Sequence, residues 1–251
     1  MKILVVGATG LIGAKAVEKL RKLGHEVVPA SRSSGVNAVS GEGLSSAMQG
    51  VEVVLDVANS PSFEESAVME FFEKSTRNML AAESTHGVKH HVALSVVGTE
   101  RLQDSAYFRA KQVQEKLIRS GTTPFTIVQA TQFFEFLEGI AQSGTVGQFV
   151  HLPLAYMQPI AADDVADEMV AACVSAPLNA TIEIGGPERV RMSEIIERFL
   201  KSRNDGRQVV AEEKALYFGA KLNDLTLLPG VAGKLSATSF DKWAQNRNEN
   251  N

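Results

Sequence analysis

Residues 3–13 read Ile3-Leu4-Val5-Val6-Gly7-Ala8-Thr9-Gly10-Leu11-Ile12-Gly13, an apolar run of strand length that leads directly into a glycine-rich turn. Four apolar residues without a polar break are typical of a central strand in a parallel sheet that helices cover on both faces. Gly7 permits a tight turn, Gly10 lets backbone N–H groups approach an anion closely, and Gly13 lets the following helix pack against the strand. The positive N-terminal end of that helix faces the anion. The stretch therefore predicts a site for the pyrophosphate of a dinucleotide.

The rest of the chain extends this pattern. From residue 1 to about residue 130, short apolar runs alternate with helical patterns, which indicates a doubly wound, mostly parallel α/β sheet of the Rossmann type. We predict strands over residues 3–6, 26–30, 51–57, 91–97 and 125–130, helices over 10–23, 63–86 and 105–120, and weaker elements at 36–39 (strand) and 44–49 (helix). Residues 1–130 are predicted to form the dinucleotide-binding core. Residues 131–251 are predicted to form a smaller substrate-side portion that partly returns to the sheet. In this portion we predict strands over residues 156–160 and 181–184, a helix that begins near residue 163 and a helix over residues 192–202.

Composition narrows the classes of function. The 251 residues carry a formal net charge of −4, which gives no long-range attraction for nucleic acid or for an anionic membrane. Cys173 is the single cysteine and lies in an apolar run, so we expect a packed thiol in a reducing compartment. The chain enters its first strand without a signal-peptide pattern, and we expect a cytoplasmic protein, monomeric or homodimeric, whose partner is a small-molecule substrate.

The end of the second predicted strand indicates which dinucleotide is bound. An NAD site of this kind places a carboxylate about 20 residues after the glycines, to bind the adenosine ribose. Here the sequence is Ser31-Arg32-Ser33-Ser34. The Arg32 guanidinium can form charge-assisted bonds to a 2′-phosphate, and Ser31 can add a hydroxyl. We therefore predict NADPH rather than NADH, and we do not assign the ribose to Asp56. The predicted cofactor contacts are Gly7, Thr9, Gly10, Leu11, Ile12, Gly13, Ser31, Arg32, Ala58, Lys111 and Thr131.

Tyr107 and Lys111 form the candidate acid/base pair, because their i, i+4 spacing places a phenol and an ammonium on one face of a helix. A nearby ammonium favours the phenolate and is expected to lower the pKa of Tyr107, so that the hydroxyl can exchange a proton with a substrate oxygen. The lysine could also hold the nicotinamide ribose. Ser95 follows the apolar segment 91–94, and the carboxyl ends of such strands open onto the ligand crevice. Its hydroxyl could orient a carbonyl.

These features resemble the short-chain dehydrogenase/reductase superfamily, in its atypical and extended branches. The glycine turn, Arg32, Ser95 and the Tyr107/Lys111 pair occur in the order that the superfamily shows. The resemblance implies that the serine positions the substrate, the tyrosine is the general acid/base, and the lysine binds the ribose and tunes the tyrosine. Asn78 is similar to the asparagine that completes the superfamily's active-site framework.

The C-terminal half narrows the resemblance. Residues 158–166, Gln-Pro-Ile-Ala-Ala-Asp-Asp-Val-Ala, look like the return of the chain to the sheet in the extended branch. Residues 107–136 and the turn at 184–187 are similar to the NmrA-like and NAD(P)H-binding quinone-reductase-like group. Residues 131–134, Thr-Gln-Phe-Phe, stand where sugar-nucleotide enzymes of the extended branch commonly carry an arginine and a Gly-Pro stretch, which argues against a nucleotide-sugar substrate.

Three functions remain open at this point. The first is an NADPH-dependent oxidoreductase that transfers hydride between nicotinamide and a small carbonyl or quinone-like substrate. The second is a non-catalytic NADP(H)-binding redox sensor of the NmrA-like kind, and the third is an epimerase of the sugar-nucleotide type. Thr131 and Gln132 are candidates for the nicotinamide amide, and Phe133, Phe134 and Phe136 are candidates for an apolar pocket wall or for core packing. His86, His90 and His91 do not have a metal-binding spacing, so we expect no metal site.

Overall fold

A computed structural model describes residues 1–249 of the chain. Its helices are α1 (Leu11–Lys22), α2 (Leu44–Ala47), α3 (Glu65–His86), α4 (Ala106–Ser120), α5 (Leu137–Ser143), α6 (Ala162–Val174), α7 (Met192–Ser202) and α8 (Phe240–Glu249). Its strands are β1 (Lys2–Val6), β2 (Glu26–Ala30), β3 (Val53–Asp56), β4 (His90–Val96), β5 (Phe125–Ala130), β6 (Thr145–Val146), β7 (Phe149–Leu152), β8 (Tyr156–Met157), β9 (Ala180–Gly185), β10 (Val190–Arg191), β11 (Gln208–Ala211) and β12 (Lys234–Leu235). No helix among these residues is both long and apolar enough to cross a membrane.

A seven-stranded parallel sheet in the order β12-β9-β5-β4-β3-β1-β2 forms the centre of the fold. The chain runs from β1 to β2 on one side and then crosses to β3 on the other, so the strand order reverses at β1. Val6 pairs with Ala30 of β2 and with Asp56 of β3, and Asp56 pairs with Ala93 of β4. The carboxyl ends of β1, β2 and β3 are therefore level where the order reverses, and β4 continues beyond them to Val96. Ligands bind at this edge in such sheets. The predicted α/β class is confirmed.

Burial explains why the central elements form. Ile3 to Val6 of β1 are 0–4% exposed, as expected for a strand covered on both faces. Helix α1 turns Ile12, Ala16 and Leu20 inward at helical spacing, and all three are at most 5% exposed. The apolar period that the sequence shows is thus the contact surface between helix and sheet.

Tertiary contacts divide the chain into two compact units. The first unit consists of residues 1–95, 106–129 and 165–182, and the second, among the described residues, of 96–105, 130–164 and 183–249. Within the first unit, α3 packs against α4, with Val68, Phe72 and Ala110 in one buried cluster. Cys173 is 1% exposed, and burial raises the pKa of its thiol to about 12.

The second unit contains several strands that were not predicted. β6, β7 and β11 form a small sheet, and β10, also not predicted, pairs with β8. β8 is the beginning of the strand predicted over residues 156–160. Phe134 packs against Phe240 and Trp243 of α8, with ring centroids 5.7 and 5.4 Å from its own.

The predicted strand at 36–39 is wrong. Asn37 forms only an isolated bridge with Glu42, and its side-chain Oδ1 accepts a hydrogen bond from Val39 N at 3.1 Å. This local bond offers the backbone an alternative to a sheet ladder, as asparagine commonly does in turns.

Candidate functional site

The turn after β1 has room for backbone but not for side chains. Gly7 has a φ of +87°, and a Cβ there would lie 2.8 Å from the Cα of Ala58. A Cβ at Gly13 would lie 2.1 Å from the carbonyl oxygen of Gly7. Helix α1 begins after Gly10 with no side-chain cap, so its first N–H groups are left for a ligand. The cradle therefore fits a dinucleotide pyrophosphate, as the sequence predicts.

The other predicted residues of this turn divide into two groups. Thr9 and Leu11 are exposed at the mouth of the turn, where their backbone and, for Thr9, a hydroxyl are accessible. Ile12 is 5% exposed and its side chain belongs to the core, so only its backbone can face a ligand.

The end of β2 presents an arginine without a protein partner. Residues 32–34 form a 3-10 turn, and Ser31 N is bonded to Ser34 Oγ at 2.9 Å. Ser31 Oγ lies 2.8 Å from Ser33 Oγ. Arg32 is exposed, and within residues 1–249 its guanidinium has no hydrogen bond or ion pair. A hydrogen-bonded turn therefore carries a guanidinium that is available to an anion.

The end of β3 supports the glycine turn. Val57 N donates to Val6 O at 3.0 Å, which carries Ala58 alongside Gly7. Asp56, the last residue of β3, is 1% exposed and its Oδ1 accepts a hydrogen bond from Ala58 N at 3.1 Å. Burial, the largest influence, raises the pKa of Asp56, while His91, Lys111 and the bonds from Ala58 and Gln114 oppose the rise. Asp56 thus shapes the backbone beside the cradle from within the core.

Ser95 lies near the end of β4, as predicted, and its proton is already engaged. Ser95 Oγ donates to Glu115 Oε1 at 2.5 Å, and both side chains are buried. Glu115 also accepts from Gln129 Nε2 at 2.8 Å and from Arg119 at 2.8 Å. The Ser95 oxygen keeps its capacity to accept a hydrogen bond.

Lys111 is a buried cation with several partners. It is 3% exposed, and its Nζ donates to Leu94 O at 2.7 Å and to Gln114 Oε1. The ring of Phe72 lies 4.5 Å from Nζ and faces the ammonium. Burial lowers the pKa of Lys111 to about 8, although the Asp56 and Glu115 carboxylates oppose the fall. Because Leu94 directly precedes Ser95, the bond to Leu94 O brings Lys111 to the end of β4.

Tyr107 is surrounded by rings. The centroids of Phe63, Phe72 and Phe108 lie 5.7 to 5.9 Å from its own. Burial raises the pKa of Tyr107 to about 12, so the expectation that Lys111 lowers this pKa is wrong. The spacing places both residues on one face of α4, but Phe72 of α3 contacts both of them and takes the ammonium on its own ring. The phenol is therefore a proton donor rather than a phenolate at neutral pH.

Asn78 does not join these residues. Its Nδ2 donates to Ala38 O and Val39 O, both at 2.9 Å, and so anchors the segment that precedes α2. The expected active-site role is wrong, because both amide hydrogens are used to hold that loop.

Thr131 and Gln132, both in the second unit, differ in whether their side chains have hydrogen-bond partners. Thr131 is 1% exposed and its hydroxyl donates to Gln158 O at 2.6 Å. Gln132 is 7% exposed, and neither its Oε1 nor its Nε2 has a hydrogen-bond partner in the described part of the chain. A buried carboxamide without partners is costly. Of the two side chains, Gln132 is therefore the one with hydrogen-bonding capacity left for a ligand.

The phenylalanines after β5 divide between core and surface. Phe134 is 2% exposed and packs in the core of the second unit. Phe136 is 51% exposed and stacks on Phe133, with centroids 5.4 Å apart and planes 19° apart. Only this stacked pair can form an apolar wall.

Sequence reasoning missed Gln114 and Glu115. Both are at most 2% exposed and hold Lys111 and Ser95 respectively. A signal was present, since Lys111, Gln114, Glu115 and Ile118 follow the i, i+3, i+4, i+7 spacing of a buried helix face. Three polar residues on such a face must have buried partners, so their spacing could have indicated a network. In residues 1–249 no group of three or more potential metal ligands is assembled.

Comparison with known proteins gives the family. The model of the NAD(P)H-binding family matches residues 7–176. Photosystem II assembly factor Ycf39 of Synechocystis sp. is 25% identical over 177 residues, which cover 62% of this chain and 54% of that protein. The chain spans about half the length of the curated relatives it matches.

Solved structures share the whole fold at low identity. A short-chain dehydrogenase/reductase superfamily protein from Agrobacterium tumefaciens, with bound NAD, is 19% identical with a TM-score of 0.73, over 100% of this chain and 98% of that one. The dTDP-4-dehydrorhamnose reductase of Bacillus anthracis, in complex with NADP, is 14% identical with a TM-score of 0.76, over 100% and 99%. Since the family model covers more than half of the chain and begins at Gly7, in the glycine cradle, this protein belongs to the NAD(P)H-binding family and has the fold of the short-chain dehydrogenases/reductases.

Proposed function

We propose that the protein is an NADPH-dependent oxidoreductase that reduces a small carbonyl or quinone-like substrate. The observation that carries this proposal is the buried Lys111 ammonium at the end of β4, joined through Leu94 O to the segment that holds Ser95. A lysine is almost never this buried for packing alone, and a strongly shifted cation at a sheet's ligand edge favours a functional role.

The side chains suit the reducing direction. NADPH, when bound at the glycine cradle, supplies hydride to the substrate carbon. The Tyr107 phenol, protonated at neutral pH because its pKa is about 12, donates the proton that the substrate oxygen needs. Ser95 Oγ, whose proton goes to Glu115, accepts a hydrogen bond from the hydroxyl so formed, and it can orient a carbonyl when its hydroxyl rotates.

Turnover tests the proposal directly. The purified protein is incubated with NADPH and a panel of quinones and aldehydes, and the loss of reduced-nicotinamide absorbance is followed. We expect consumption of NADPH that depends on at least one substrate. Intact NADPH binding without turnover on the panel would contradict the proposal.

One observation favours a second candidate, a non-catalytic NADP(H) sensor. The Ser95 proton is bonded to Glu115, and two Lys111 donors are bonded to Leu94 O and Gln114, so two of the three catalytic candidates already have partners within the protein. The Ycf39 relatives, which are named as assembly factors, fit this alternative. Binding without turnover would favour it.

Arg32→Ala is expected to weaken NADPH binding by about tenfold to a hundredfold, since a charge-assisted bond contributes about 1.5–3 kcal/mol. NADH affinity is expected to change less than about twofold, because NADH lacks the 2′-phosphate that a guanidinium binds. Calorimetric titration of both nucleotides measures the ratio. Arg21→Ala is the matched control, because Arg21 is an exposed arginine in the last turn of α1, at the end of the helix away from the glycine cradle. Equal losses for NADPH and NADH would remove Arg32 from the phosphate site.

Tyr107→Phe is expected to lower kcat/KM for a carbonyl substrate by about a hundredfold or more, the usual contribution of a general acid. NADPH affinity and thermal stability are expected to stay close to those of the parent, because the Tyr107 hydroxyl has no hydrogen bond within residues 1–249. Steady-state kinetics and calorimetry measure the two effects. Tyr156→Phe, which removes a hydroxyl in the second unit, is the control. An unchanged rate in Tyr107→Phe would exclude the phenol as the proton donor.

A further inference from the structure

A chain of hydrogen bonds runs from Lys111 to the backbone beside the glycine turn. Lys111 Nζ donates to Gln114 Oε1, Gln114 Nε2 donates to Asp56 Oδ2 at 2.7 Å, and Asp56 Oδ1 accepts from Ala58 N at 3.1 Å. The side chains of Lys111, Gln114 and Asp56 are all at most 3% exposed. Water therefore cannot replace any bond of this chain without rearrangement.

The direction of donation along this chain of hydrogen bonds is fixed. An ammonium only donates hydrogen bonds and a carboxylate only accepts them, so the Gln114 carboxamide must turn its oxygen to Lys111 and its NH2 group to Asp56. A reversed amide would place NH2 against the ammonium and oxygen against the carboxylate. The charges at the two ends thus determine one orientation of Gln114.

The two ends of this chain of hydrogen bonds lie at the candidate site. Ala58 is the residue whose Cα would be 2.8 Å from a Cβ at Gly7, so its backbone forms one side of the cradle. We propose that Asp56 and Gln114 are positioning residues that orient the Lys111 ammonium and couple it to the Ala58 backbone, so that the lysine and the nucleotide cradle respond to each other. This inference rests on the proposed function only in taking Lys111 and the cradle as parts of one nucleotide site.

Two carboxylates act on the Lys111 ammonium. Asp56 of β3 and Glu115 of α4 are the carboxylates that act on it, and each favours its charged form. His91 of β4 acts in turn on Asp56 and is bonded to Glu83 of α3. A change at Asp56 or Gln114 is therefore expected to move the pKa of Lys111 away from its value of about 8.

Exchanging the two side-chain types tests the direction of the chain. Asp56→Asn is expected to turn the Gln114 amide and set NH2 against the ammonium, and Gln114→Glu to set two carboxylates side by side. The double variant D56N/Q114E keeps the total charge, because one carboxylate is removed and one is added. It is also expected to keep the hydrogen bonds, since the new amide at 56 can donate to the new carboxylate at 114, which also accepts from Lys111. We expect each single change to weaken NADPH binding by about tenfold. We expect the double variant to bind within about threefold of the parent.

A second readout needs neither nucleotide nor turnover. In protein labelled with 13C at the lysine ε-carbons, the Lys111 signal is identified by its loss in Lys111→Met, and its titration is followed in the free protein. The pKa of Lys111 is expected to fall in Asp56→Asn and to rise above that of the parent in D56N/Q114E, where the carboxylate touches the ammonium.

The outcomes separate the positioning role from a structural one and from the proposed function. If D56N/Q114E regains thermal stability but not NADPH affinity, or if the Lys111 titration is the same in all variants, the inference is overturned. If the Lys111 titration and the NADPH affinities follow the expected order while no substrate is turned over, the inference stands and the oxidoreductase proposal fails. If a single variant does not fold, Gln114→Met, which removes both bonds without a conflict, is measured instead and is expected to lower the pKa of Lys111 and the NADPH affinity.

Discussion

Gly13→Ala is expected to abolish measurable NADPH binding and to lower the free energy of unfolding by about 3 kcal/mol, the upper range for overpacking a fixed backbone. The added Cβ would lie 2.1 Å from Gly7 O and 2.8 Å from the Cα of Ala8. Both contacts are backbone atoms that continue directly from the buried strand β1, so neither can move aside as a flexible side chain would. The start of α1 must shift, and with it the N–H groups of the cradle. Denaturant unfolding and calorimetric titration with NADPH measure the two effects.

Two glycines provide controls for this prediction. Gly139 lies in α5, and a Cβ added there would meet nothing within 4 Å, so Gly139→Ala is expected to leave NADPH affinity unchanged and to stabilise the helix by up to about 1 kcal/mol. A Cβ at Gly10 would meet only Gly7 O, at 3.2 Å, so Gly10→Ala is expected to fall between the two. NADPH binding by Gly13→Ala at parental affinity would show that the cradle tolerates a side chain.

The central sheet could be predicted because its signal is local. The run at 125–130 matches β5 to the residue, and the helix expected at 105–120 is α4 within one residue. Most of the small strands could not be predicted in this way. β6, β10 and β12 have two residues each, too few to show alternation, and β11 pairs with β7, which lies far back along the chain.

The edge of the sheet that carries the candidate residues was also predictable, since parallel strands in register end at the same edge. Val6, Ala30 and Asp56 pair side by side, so the segments that follow them had to meet. The partners of each side chain were not predictable. The i, i+4 spacing of Tyr107 and Lys111 could not show that Phe72 would pack against both of them, nor that burial would set the pKa of Tyr107.

Buried charges extend beyond the nucleotide cradle. Asp56 acts on Lys111 on one side and on His91 on the other, and His91 Nδ1 lies 2.6 Å from Glu83 Oε1. Both His91 and Glu83 are 0% exposed. Burial disfavours the charged imidazolium, but the Glu83 carboxylate and its hydrogen bond, together with Asp56, outweigh it and raise the pKa of His91. Glu83 and His91 therefore form a fully buried, hydrogen-bonded pair in the first unit.

His91→Leu is expected to lower the free energy of unfolding at pH 6 by about 3–5 kcal/mol, because it leaves Glu83 buried without its partner. Glu83 Oε2 and His91 Nε2 have no hydrogen-bond partner within residues 1–249, so the bond between His91 Nδ1 and Glu83 Oε1 has no substitute among these atoms. Urea unfolding of the parent, the two single variants and E83L/H91L measures the coupling. The double variant is expected to recover most of the loss, since two leucines leave no unpaired charge in the core.

The pH dependence gives the same pair a second signature. A histidine whose pKa is raised on folding stabilises the protein fully below its unfolded value of about 6.5, and this contribution is lost as pH rises through the folded pKa. The neighbouring His90 affects the pH dependence of stability in the opposite direction. Burial, with a smaller effect from His91, lowers the pKa of His90 to about 4, so the stabilisation that His90 provides is lost as pH falls below about 6.5. Above pH 7 the contribution of His90 is constant, while Lys111 and Cys173, whose pKa values are also shifted, affect the parent and E83L/H91L alike. The difference between the two curves therefore reports His91, and the stability of the parent is expected to fall with pH more steeply than that of E83L/H91L. Parallel pH curves, or a double variant as unstable as His91→Leu, would show that the pair is not an ion pair in the folded protein.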